Sequence, residues 1–223
     1  MSYSVAQPLS ERRELNLGTW QLFLLVLVAN LIATWLYNDH ILTRELYHNL
    51  LSDRLESSRI DEYFDFLHKV SRWGYLAQPV ILWIQISFIV LLIQMPLLLF
   101  FIDIPYRRLF RIVTWCALAM IAAAFSRIVW LSLLQASEIT QETLNMVPLS
   151  INSFLDSAEY HITTYAVLGK FNIFELLWCI MLYKGLSATE KLKKDNAALL
   201  VFILWTVLLL FQWGVSAYFN GVD

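Results

Sequence analysis

The charged residues Arg127, Glu175 and Lys170 stand inside or beside long apolar stretches, and they are the sequence's strongest candidates for chemistry. A charge at hydrocarbon depth is costly, so each is a functional-site candidate by default. Arg127 lies seven residues before the end of an apolar run that closes at Leu134. At the helical rise this puts it about 10 Å below the surface. Glu175 belongs to the next apolar run, which travels the other way and reaches a similar depth if it begins near Leu168. The spacing therefore predicts an Arg127–Glu175 ion pair, with Lys170 nearer the interface, able to snorkel or to join Glu175. Such a group fits either a satisfied pair that fixes helix packing or a polar cavity for an ion, proton or small substrate.

The remaining reactive residue types are sparse. His161, beside Glu159 and Tyr160, has a side chain suited to titration near neutral pH or to metal binding. One histidine with one glutamate is not a ligand set, so His161 and Glu159 are read as polar residues at an outer mouth, and no metal site is expected. Cys116 and Cys179 fall in apolar runs with no CxxC spacing, as small buried hydrophobes do. Cys116, Arg127 and His161 would make an intramembrane transpeptidase triad only if they met. Cys116 belongs near the opposite end of its helix from His161, which separates them. There is no G-x-S-x-G, no H-E-x-x-H and no Walker A lysine loop. The expectation is a protein with no catalytic residue and no cofactor. Asn30, Gln85, Gln94 and Gln212 are uncharged polar residues at membrane depth, where hydrogen bonding between helices accounts for them.

The elements that hold these residues follow from composition. Of 223 residues, 59% are hydrophobic and 15% charged, against roughly 45–50% and about 25% in soluble domains. Mean hydropathy is +0.59. A net charge of −2 offers no basic surface for nucleic acid. The reading is all-α: a single polytopic bundle over residues 1–223 with about five transmembrane helices. The spans are 18–37, 79–102, 112–134, 165–183 and 197–219, the start of the fourth lying anywhere between 162 and 171. Arg12 and Arg13 precede the first run, but no A-x-A-like site follows it, so it reads as a retained anchor rather than a signal peptide.

Orientation comes from Lys and Arg. They precede the first span, fill the second loop (Arg107, Arg108, Arg111) and fill the fourth (Lys184, Lys191, Lys193, Lys194). The loop from Gln135 to Tyr160 has none but carries Glu138, Glu142, Asp156 and Glu159. This alternation predicts a cytoplasmic N-terminus and an outside C-terminus. The first outside loop, 38–78, has one-sided apolar periodicity (Leu42, Leu46, Leu50, then Ile60, Phe64, Leu67) and a break at Ser57-Ser58. It predicts two amphipathic helices, either a cap over the bundle or a docking surface. The stretch 147–155 is apolar enough to tuck against the outer mouth.

Asn172-Ile173-Phe174-Glu175-Leu176-Leu177-Trp178, then Tyr183-Lys184-Gly185-Leu186, a Lys-rich turn, Ala197-Ala198 and Trp205 resemble bacterial members of the Yip1-like family. The segment from Tyr106 to Ile112 and on to Pro148-Leu149-Ser150 is similar to small bacterial relatives of that group. The resemblance covers roughly residues 79–219 and not the long outer loop. It implies five spans, a cytoplasmic N-terminus, no established catalytic activity, and work beside other membrane machinery such as an exporter. Eukaryotic members bind lipidated GTPases with an acidic N-terminal tail. The leading residues here do not match that tail, and GTPase binding is not carried over.

Two functions follow as expectations. One is a non-enzymatic scaffold or accessory subunit in the bacterial inner membrane, in contact with lipids and with another membrane protein or complex. The other is a small transporter or channel around Arg127, Glu175 and Lys170. A continuous polar lining favours the second, and dry packing favours the first.

Overall fold

The computed structural model describes residues 18–52, 55–135, 138–140, 143–144, 146–155 and 162–220. Among the described residues the chain is helical, with no strand. Helix α1 spans Thr19–Leu36 and runs into a π-helical turn, Tyr37–Ile41. Helix α2 spans Arg44–Leu51, its first turn capped by Thr43, whose hydroxyl accepts from the Leu46 amide at 3.3 Å. Then come α3, Ser57–Leu99, and α4, Tyr106–Leu133. A short 3-10 turn, Ile151–Phe154, leads to α5, Ile162–Leu168, α6, Ile173–Ser187, and α7, Lys194–Asn220.

Four helices are long and apolar enough to cross a membrane: α1 with its π turn, α3, α4 and α7. The chain is an integral membrane protein on that ground. Two expectations change. The amphipathic segment after Ser57 and the span placed at 79–102 are one helix of 43 residues. A drop in polarity at Pro79 marks where the surroundings change, not where the helix starts. Pro79 and Pro96 both lie inside it, as proline can in helices packed within a membrane bundle. The fourth apolar stretch, in turn, is divided into α5 and α6. Asn172 breaks it: its Oδ1 accepts from the amides of Phe174 and Glu175 at 3.0 and 2.8 Å, capping α6. With 15 residues, α6 is shorter than the other four, and about 22 Å long.

The core has two parts. The larger joins α1, α3, α4, α6 and α7 around Val26, Val90, Leu109, Val113, Leu182 and Leu186. The smaller closes the opposite end of α1 and α4 with Ala33, Ile41, Leu46, Ile128, Leu131 and Ile139. We call that end, which carries α2, the capped end. The other carries the turns at 100–105 and 188–193 and is the basic end. At the basic end α4 and α6 approach closely. A Cβ on Gly185 would lie 2.5 Å from Cγ2 of Ile112, so only glycine allows this approach. There, too, Arg108 donates to the Ala188 carbonyl at 3.0 Å, and the Lys191 ammonium donates to the Asp103 carbonyl. Both tie one basic turn to the other. The end of α3 is a Schellman turn, with Ile102 N–H on the Leu97 carbonyl (2.8 Å) and Phe101 N–H on the Leu98 carbonyl (3.0 Å). Phe101 holds the left-handed position at φ 55°.

Candidate functional site

Among the described residues, polar side chains gather at several places. The first is a clasp between α1 and α3. Asn30, Thr34 and Asn38 are four apart, hence on one face of α1 and its π turn. Gln78 of α3 donates to Asn30 Oδ1 and, at 2.9 Å, to Thr34 Oγ1. Asn38 Nδ2 donates to the Tyr75 hydroxyl at 3.1 Å. The Thr34 hydroxyl donates in turn to the Asn30 carbonyl at 3.0 Å, which holds its rotamer.

The second place is beside the clasp. A cavity of about 320 Å³ between α1, α3 and α4 is lined by Asn30, Thr34, Tyr37, Gln85 and Arg127 among apolar neighbours, with Trp178 of α6 at one wall. Arg127 lies over the Tyr37 ring, 5.2 Å from guanidinium carbon to ring centroid. Its Nη2 is 3.5 Å from the Tyr37 hydroxyl. Its Nε is buried with no hydrogen-bond partner, and no carboxylate among the described residues lies within ion-pair distance.

The predicted Arg127–Glu175 ion pair is therefore not formed. Glu175 is in the first turn of α6, where the cap at Asn172 places it and where a helix N-terminus favours an acid. With Lys170, Gln212, Trp178 and Trp205 it lines a separate cavity of about 190 Å³ facing α7. Lys170 and Glu175 also edge a groove of about 740 Å³ between α6 and α7. The rest of its lining is mostly apolar, with Ser150, Asn172 and Tyr183 as further polar residues. The segment at 148–154 forms its rim: Ile151 N–H donates to the Phe171 carbonyl at 3.1 Å, and Asn152 Nδ2 to the Tyr165 carbonyl at 2.8 Å. His161 and Glu159 lie outside the described residues. Cys116 is buried in the larger core and Cys179 half-buried beside it, both as free thiols. Cys116 and Arg127 are eleven residues apart on α4, about 16 Å along its axis.

The third place is the hairpin of α2 on the start of α3. Arg44 reaches Asp61 at 3.2 Å and Asp65 at 2.9 Å, and His48 Nε2 lies 3.1 Å from Asp61. Arg44 also covers the Phe64 ring at 5.2 Å. Tyr47 packs edge-on against Tyr63 and Phe64. Burial there, helped by the phenols of Tyr63 and Tyr37, pushes the Tyr47 phenol above its ordinary range, so it stays neutral.

Comparison with protein-family models, with curated proteins and with solved structures returns no match.

Of these residues, sequence reasoning singled out Arg127, Asn30 and Gln85 but missed Tyr37, Thr34 and Gln78. The signal for Thr34 was its spacing of four from Asn30. Gln78 was hidden by its place at the polarity boundary. Among the described residues no three metal-ligating side chains converge.

Proposed function

We propose that this chain is a non-catalytic scaffold or accessory subunit of the bacterial inner membrane that binds another membrane protein or complex. One observation carries the reading. Helix α3, at 43 residues, is about 64 Å long, twice the roughly 30 Å of a hydrocarbon core. Its first part therefore projects from the span. Asp61, Phe64 and Asp65 face α2 there. The opposite face shows a stripe of Phe66, Val70 and Trp73, exposed by 62, 47 and 74%. An apolar stripe kept on the side away from its own hairpin is a surface built for contact.

Other observations agree with this reading. Gln78 of α3 is spent on Asn30 Oδ1 and Thr34 of α1, and the wall toward the basic end is apolar side-chain packing rather than a polar path, which argues against a transporter around Arg127, Glu175 and Lys170. The alternation of basic and acidic loops supports five spans, with α6 as the short fourth, a cytoplasmic N-terminus and α2 outside. The Yip1-like pattern around Asn172–Trp178 and Gly185-Leu186 supports the same topology and the same class of role. The test is recovery of the natively tagged chain in mild detergent through size exclusion. A membrane complex should co-purify in fixed ratio, and Phe66→Asp with Trp73→Asp should release it while the fold persists. A lone monomer or homodimer, or a partner kept by the double variant, would remove this reading.

A further inference from the structure

The Arg127 cavity has a property that packing leaves unexplained. A guanidinium is always charged, and even a part-buried charge without a counter-charge is unfavourable in low dielectric. Among the described residues Arg127 has only the face and hydroxyl of Tyr37, and its Nε donor has no acceptor at all. Around it the cavity supplies the rest of a binding site: the Asn30 Nδ2 and Gln85 amide donors, the Tyr37 hydroxyl, and apolar walls. Its volume, about 320 Å³, is within the range of small-ligand pockets.

Where the cavity opens says what kind of molecule arrives. Toward the capped end it meets the apolar cluster of Ala33, Ile41, Leu46 and Ile128. Toward the basic end it meets Val26, Val113 and Ile121 of the larger core. Of its lining residues Gln85 alone is exposed, and the surface around Gln85 is Ile81, Ile84 and Phe88, also exposed. That surface lies within the apolar part of α3, so the opening faces hydrocarbon and not water. A carboxylate or phosphate delivered there on an acyl chain would set charge-assisted bonds on Arg127 and leave its tail along α3.

We propose that this cavity binds the anionic head of a lipid-like amphiphile, a carboxylate or a phosphate ester, which reaches Arg127 from the bilayer beside Gln85. The site is independent of the scaffold role and stands or falls separately from it.

The test uses the full chain in nanodiscs of phosphatidylcholine, to which oleate, phosphatidic acid or inorganic phosphate is added. Saturable binding and the unfolding midpoint are read for each. Oleate or phosphatidic acid should bind at one site and raise the midpoint, and which of them does so tells carboxylate from phosphate. Arg127→Gln should weaken that binding roughly tenfold or more, with Arg127→Lys weakened less. In discs without added anion, Arg127→Gln should unfold no earlier than the parent, because it removes an uncompensated charge. Gln85→Leu, at an exposed position, should weaken binding while leaving the midpoint of the empty protein in place. A response to inorganic phosphate alone would overturn the amphiphile. Absent binding, or equal binding by the parent and Arg127→Gln, would overturn the site. Early unfolding of Arg127→Gln would do so too, since the charge would then already be matched within the chain.

Discussion

The seam between α4 and α6 and the seam between α1 and α3 solve the same problem with opposite means. At the first, Gly185 lets Ile112 into the helix surface, and Leu109, Val113, Leu182 and Leu186 close around the contact. At the second, Gln78 is shared between Asn30 and Thr34. In a bilayer helices gain little from hiding apolar surface, so either close packing or hydrogen bonds must hold them together. The difference teaches where each seam is fragile. A packed seam fails when volume is added, and a bonded seam fails when a donor is lost.

The largest effect should come from Gly185→Ala. Its methyl would meet Ile112, a β-branched side chain with little rotamer freedom, and overpacking of this kind costs about 1–3 kcal/mol. Unfolding titrations in mixed micelles measure it, and Ile112→Ala in the same chain should recover most of the loss. If the double variant is as unstable as Gly185→Ala alone, the steric account is wrong. Next comes Gln78→Leu, which strips the donor from two acceptors at once. Interhelical hydrogen bonds average about 0.6 kcal/mol, with a maximum near 1.7, so the loss should fall in that interval. A double-mutant cycle with Asn30→Leu should show coupling between the two positions. Strict additivity would mean that the bond contributes nothing.

The smallest effect is expected at the hairpin, where the charged groups are exposed to solvent. Arg44→Ala should cost about 0.2–1 kcal/mol for its ion pairs, and the cost should shrink further in high salt. A salt-independent loss would point instead to the contact of Arg44 with Phe64. Together the three variants would establish whether the bundle relies on shape near its basic end and on polar bonds near its capped end.

How much of this was legible follows the same division. The apolar runs at α1, α4 and α7 stand out because length and hydropathy need no partner to be read. The amphipathic period from Ile60 to Val70 gave a helix there, yet its continuity with the next span was lost. A helix backbone is indifferent to the change of solvent at Pro79 that dominates the composition. Depth along a helix can be counted from sequence, but the direction in which a side chain points around a neighbouring helix cannot. Arg127 and Glu175 were paired on depth alone. The cap at Asn172 moves Glu175 to the start of a shorter helix and turns it toward α7. The Asn30–Thr34 spacing was readable on its own helix, whereas Gln78 became visible as its partner only when α3 was seen to run past it.

That continuity has a mechanical consequence. Gln78 stands at the midpoint of α3, with equal numbers of residues on either side, and it is the residue clasped to α1. Next to it Pro79 has no N–H to give the Tyr75 carbonyl, so the rod is most compliant where it is held. The half beyond Pro79 is fixed in the core through Leu82, Ile86, Val90 and Ile93, so a sideways push on the stripe around Trp73 would bend the rod at Pro79 before it tilted the membrane half.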